Sequence, residues 1–209
     1  MANPFLYSKI KHSRSLTPPN YVNYRLFKPD LRREFGRQCV YCRALDILKG
    51  EQSFAVDHYR PKNLFPHLKT EYLNLFYACN RCNSFKGDFW PLSERLNAGE
   101  FVPNPCEHVM FEHLRYQDGT VTAASGAGYW TIALLDLNDP QAVIFRDAYI
   151  RCLTLLTTTI QAATNTAAEA KQVLGKATTA AQIAAANVKH QQALVNLAQL
   201  EADLKTLLG

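Results

Sequence analysis

The chain has 209 residues, 47% of them hydrophobic and 11% aromatic, which is enough for a core, and its formal net charge is +5. No window reaches the ~18 consecutive apolar residues of a membrane span, and the opening MANPFLYSKIKHSRSL lacks the apolar run of a secretory signal, so a membrane-free protein of the reducing cytoplasm is expected. The charge is uneven: residues 1–90 carry 15 Lys and Arg against 7 Asp and Glu, whereas residues 91–209 carry 8 against 11, so the first half is expected to meet a polyanion.

Residues 1–36 mix Lys, Arg, Pro and aromatics around the breaker TPPNY, and read as a basic arm wrapped on the domain. His12 in that arm has no specific partner in the sequence. LRREFGRQCVYC then suggests a short helix leading into a knuckle. Its pair Cys39-x2-Cys42 is matched by Cys79-x2-Cys82 in ACNRC. Two such pairs offer four thiolates, the tetrahedral set that Zn2+ takes in closed structural sites; the alternative is buried free thiols. The 36 residues between the pairs exceed a simple zinc ribbon, so something further is built inside that loop. Cys106 and Cys152 lack partner spacing and are expected to be packing residues.

Inside the loop lies FAVDHYRPKN, a short apolar run ending in Asp57-His58. Asp57 and Asn83 supply oxygen ligands of the kind that hard cations require. His58, beside Asp57, titrates in the range suited to activating water. Arg60, Lys62, Arg81 and Lys86 crowd the same block and could meet phosphates, the ordinary alternative being solvated surface charge. His67 falls in the insert and is given a loop role.

Residues 91–139 form an extension. HVMFEHLRYQDGTVTAA, residues 108–124, reads as a hairpin turning at Asp118-Gly119. His108 and His113, with Cys106 nearby, invite a second metal site but fall at the hairpin's edge. GYWTIALLDLNDPQAVIFR supplies a buried apolar segment, with Asn138 or Asp139 as a cap and Pro140 at the first helical position. Residues 140–209 favour helix throughout, with Gly175 as a weak point and a break expected between 163 and 180. Ile183, His190, Leu197 and Leu204 recur every seven residues, as do Ala186, Ala193, Leu200 and Leu207, so two helices are expected to pack as an antiparallel hairpin. His190 is then a partly buried core residue.

CxxC, Asp-His, Asn-Leu at 74–75 and CxxCNxxKG, in this order over residues 37–90, resemble the HNH endonuclease superfamily in its zinc-knuckle form, with Asn83 at the third named position. The resemblance implies an α+β protein whose core is a ββα-metal, treble-clef-like unit, extended by the β-hairpin and the C-terminal helical hairpin. It implies His58 as general base, Asp57 and Asn83 as ligands of Mg2+ or Mn2+, and Asn74 pinning the loop that orients His58. Cys39, Cys42, Cys79 and Cys82 would hold zinc without doing chemistry. The implied reaction is phosphodiester hydrolysis in nucleic acid, with double-stranded DNA the expected substrate. DHYRPK and GYWTIALLDLN also resemble one HNH branch found in antiphage modules of the Septu and retron type, which implies an ATPase or other module partner. The C-terminal helices would offer a surface for that partner or for self-association. The competing reading is a non-catalytic zinc-knuckle module that binds nucleic acid or protein, which leaves Asp57, His58, Asn74 and Asn83 together unexplained.

Overall fold

The computed structural model describes residues 3–208. The chain is α+β and divides into two compact units, Ala2–Asp147 and Ala148–Gly209. In the first, α1 (Lys28–Glu34) has Pro29 in its first turn, where a missing N–H costs nothing. The knuckle follows. Cys39 N–H donates to the Ala44 carbonyl and Arg43 N–H to that of Cys39, while Arg43 takes φ +62°, closing a turn that brings Cys42 back beside Cys39. The short α2 (Asp46–Lys49) leads to β1 (Phe54–His58), which pairs antiparallel with β2 (Leu75–Cys79) in the register Phe54↔Cys79 to His58↔Leu75.

β2 is buried at every position, and Leu75, Phe76, Tyr77 and Ala78 are fully inaccessible. Burying each large side chain contributes roughly 1.5–3 kcal/mol, so this two-stranded sheet is held by packing on both faces and not by its few ladder bonds. Arg14 from the arm covers part of it, its guanidinium 4.6–4.9 Å from the rings of Phe35, Tyr72 and Phe76. Cys79 ends β2 and is the N-cap of α3 (Asn80–Lys86), so Cys82 falls in the first turn of that helix. The chain thus runs strand, strand, helix through the block that carries the sequence motifs.

After α4 (Ser93–Asn97), β3 (Leu114–Gln117) and β4 (Thr120–Ala123) form the expected hairpin. Its turn residues Asp118 and Gly119 both have positive φ, +47° and +81°, as a tight hairpin turn with the right twist demands. α5 (Gly126–Leu134) approaches the hairpin so closely that a Cβ on Gly128 would fall 1.8 Å from the His113 carbonyl oxygen. Asp139 caps α6 (Pro140–Lys176) by accepting from Gln141 and Ala142 N–H.

In the second unit, α6 continues to Lys176 and α7 spans Ala180–Leu208, so the break lies at residues 177–179 and Gly175 is helical. Ala186 and Ala193 are buried, while His190, Leu197, Leu200, Leu204 and Leu207 are partly so; Ile183 is more exposed, at 40%. On α6 the buried residues Tyr149, Leu153 and Ala167 lie one turn and then two heptads apart, which keeps them on one face. Tyr149 Oη donates to the Leu207 carbonyl at 2.6 Å, tying the start of one helix to the end of the other. Small residues on the seam allow this antiparallel approach. Cys152, expected to pack, is instead exposed on α6, because it precedes the seam residue Leu153 and points off it.

Candidate functional site

The four cysteines of the two CxxC pairs come together. Their sulfurs all lie within 4.8 Å of one another, with Cys42 and Cys79 Sγ 3.7 Å apart. A tetrahedral ion with Zn–S bonds of ~2.3 Å sets its sulfurs about 3.8 Å apart, and the cluster has the size and donor set of such a site. Its electrostatics ask for a cation as well. Burial raises the Cys39 thiol, and hydrogen bonds from Cys39, Cys42 and Cys82 lower that of Cys79. Four thiolates in one buried spot repel one another unless a positive ion compensates them.

Asp57 and His58 sit at the end of β1, both buried. Asp57 is 3% exposed. Its Oδ2 accepts from Tyr41 Oη at 2.5 Å and its Oδ1 from Lys86 Nζ at 3.1 Å. Each carboxylate oxygen has a second lone pair, so acceptor capacity for a cation remains. His58 Nε2 lies 2.9 Å from the Lys69 carbonyl oxygen. A carbonyl can only accept, so Nε2 carries the proton and Nδ1 is left as the basic nitrogen. Burial lowers the His58 pKa, favouring the neutral ring. The Tyr24 ring packs edge-on against it, 4.6 Å between centroids.

Asn74 clasps the loop that follows. Its Oδ1 accepts from Arg60 N–H at 2.9 Å, and its Nδ2 donates to the carbonyls of Arg60 and Leu68. Arg60 is two residues past His58, and Leu68 precedes the carbonyl that fixes the His58 ring. One amide therefore ties both ends of the 60–68 loop.

Asp57, His58 and Asn83 line one open cleft of about 400 Å³, together with Tyr24, Arg25, Lys28 and Lys62. A second groove of about 480 Å³ shares Tyr24, Arg25 and Lys62 and adds Lys69. The cations expected from the sequence are distributed otherwise than anticipated. Lys62 faces the cleft. Arg60 lies over Trp90, 5.5 Å from the ring centroid, on a different pocket. Two of the four are engaged within the protein. Arg81 pairs with Asp136 at 2.6 Å and stacks on Phe85, and Lys86 is 3% exposed, holding Asp57 and the His58 carbonyl. The partners of these two cations lie 55 and 28–29 residues away, beyond any local pattern.

Arg25 and Lys28 were not singled out by the sequence. The only signal for them is the basic bias of the arm, which the fold brings to the cleft. His108 and His113 meet edge to face, 5.4 Å between ring centroids, and among the described residues the four cysteines are the one group of three or more His, Cys, Asp or Glu close enough to share a metal. Among those residues, no helix is long and apolar enough to cross a membrane.

Comparison with known proteins agrees with the motif order. Residues 39–89 match the HNH endonuclease family model. The chain is also 26% identical, over 111 residues, to the Septu protein PtuB of Bacillus thuringiensis; the aligned stretch covers 53% of this chain and 40% of that protein. No solved structure matches.

Proposed function

We propose, from an HNH endonuclease domain at residues 39–89, that this chain is a divalent-cation-dependent endonuclease with a ββα-metal core, in which His58 is the general base. The observation that carries the reading is the His58 ring. Lys69 holds its Nε2 proton, so Nδ1 is the free base in a cleft that also contains Asp57 and Asn83. Asp57 and Asn83 would hold the cation through oxygen. When bound, a Mg2+ or Mn2+ ion polarises the scissile phosphate and stabilises the departing oxygen. The chain's own residues do the rest. His58 Nδ1 takes a proton from the attacking water. Asn74 keeps the loop, and with it the Lys69 carbonyl, in place. Arg25, Lys28 and Lys62 hold the phosphate chain across the cleft by charge. Lys86 fixes the Asp57 carboxylate from behind. The cysteine zinc holds the knuckle to the start of α3 and takes no part in the chemistry.

The Septu relative supports a place in antiphage defence; DNA as substrate and an ATPase of the same module as partner belong to this proposal. The helical unit offers a surface for that partner or for a second copy. The test is cleavage of plasmid and single-stranded DNA with Mg2+ or Mn2+, comparing wild type with Asp57→Ala and Asn83→Ala, with and without module partners. Metal-dependent nicking or cutting lost in both variants supports the reading. Binding without cutting under every condition favours the non-catalytic zinc-knuckle module.

A further inference from the structure

Behind the Asp57–His58 strand end lies a second cavity, of about 250 Å³, that the reaction above does not use. Its walls are aromatic: Tyr59, Phe89, Trp90 and Phe101, with Arg60, Lys86 and Glu107 as its charged members. The walls are set by the fold. Tyr59 is buried, its hydroxyl donating to the Val102 carbonyl at 2.9 Å, and Trp90 is wedged between Tyr59 and Phe65 at ring separations of 5.6 and 5.2 Å. Two links join this cavity to the cleft. His58 and Tyr59 are consecutive, one lining each space, and Lys86 lines the cavity while its ammonium bonds Asp57 and the His58 carbonyl.

We propose that this cavity takes one unpaired nucleobase of the substrate, next to the phosphate held at His58, so that the enzyme acts on single-stranded or locally unpaired nucleic acid. The proposal rests on the nuclease reading and specifies its substrate. Three features select a base over another apolar group. The volume is below the roughly 300 Å³ at which drug-sized sites begin, which suits a flat ring system. Half-buried aromatic rings with an arginine among them are the surface on which bases stack without sequence preference. Glu107 provides a carboxylate that can accept from the exocyclic amino group of a base. The basic cleft next door supplies the matching contact for the attached phosphate. A base paired in a duplex cannot insert between these rings without leaving its stack.

The test measures binding by the 209-residue chain carrying His58→Ala, which slows cleavage. Fluorescence anisotropy compares a single-stranded oligonucleotide with a fully abasic strand of equal length and charge. The base-containing strand is expected to bind roughly 5- to 100-fold tighter. Adding Trp90→Leu should abolish that ratio while leaving affinity for the abasic strand unchanged, which also shows that the variant is folded. In the parent protein, without Trp90→Leu, a 2-aminopurine in the strand should lose fluorescence on binding. Equal affinity for the two strands, or a ratio and quenching untouched by Trp90→Leu, overturns the base pocket while leaving the phosphate track standing. Failure to bind either strand overturns the pocket and the nuclease reading together.

Discussion

Replacing Glu34 by Gln removes a charge from a place built to hold it. Glu34 lies at the end of α1 with a fully inaccessible side chain, yet it accepts from Ser15 N–H and Oγ, Leu16 N–H and Tyr72 Oη, and meets His12 Nε2 at 3.2 Å. Burial alone would raise its pKa, but the backbone N–H groups of Ser15 and Leu16 and the hydroxyls outweigh it and bring the value from 4.5 down to about 2. At ~1.4 kcal/mol for each pKa step of one, that drop represents about 3 kcal/mol of stability. The folded pKa is below the unfolded one, so the contribution is complete above about pH 4.5 and is lost as pH falls toward 2. Glu34→Gln is therefore expected to cost about 2–3 kcal/mol at pH 7, a fall in Tm of roughly 5–10 °C. The gap from wild type should narrow steadily between pH 5 and pH 3. Urea denaturation followed by circular dichroism at several pH values measures it. Zinc release in acid affects both proteins alike and cancels in the difference. A gap that stays constant from pH 7 to pH 3, or none at pH 7, would refute the view that this carboxylate clamps the arm to the core.

Three other outcomes are expected. Metal analysis should find one zinc per chain, and Cys79→Ser should lose it and unfold the knuckle, read as loss of near-ultraviolet dichroism; full zinc content in that variant would contradict a four-sulfur site. Asn74→Ala leaves the Leu68 and Arg60 carbonyls without their amide donor, so it should cost about 2 kcal/mol of stability and lower kcat more than it raises KM; unchanged turnover would remove Asn74 from the positioning of His58. Ala193→Leu overpacks the seam of the helical hairpin and should destabilise that unit by about 1–3 kcal/mol, seen as earlier loss of helical signal on heating, with cleavage by the first unit retained.

How far the sequence carried the structure depends on the range of the interaction. The hairpin turn at Asp118-Gly119, the Asp139 cap before Pro140 and the seven-residue seam of α7 are local rules, each visible within a few residues. The cysteine cluster was legible because metal ligation makes a long-range contact leave a short-range spacing. Side-chain pairing across the fold left no such trace. Lys86 reads as one more surface cation beside a glycine, yet it is buried on Asp57, 29 residues earlier in the chain, and Arg81 is taken by Asp136, 55 residues later. Conversely, Arg25 and Lys28 reach the cleft only because Phe27 and Leu31 anchor their segment in the core. Glu34 takes its backbone donors from Ser15 and Leu16, 19 and 18 residues earlier in the chain. Burial and pairing of charge depend on which segments meet, and local periodicity does not encode that.

In the proposed reaction His58 Nδ1 accepts the proton of the attacking water. Single-turnover cleavage by wild type and His58→Ala, at matched zinc content and with free imidazole added to the variant, tests it most directly. The expected result is a loss of about 10²- to 10⁴-fold in the variant, partly restored as imidazole rises, with substrate affinity unchanged. Cleavage by His58→Ala at the wild-type rate would contradict the account.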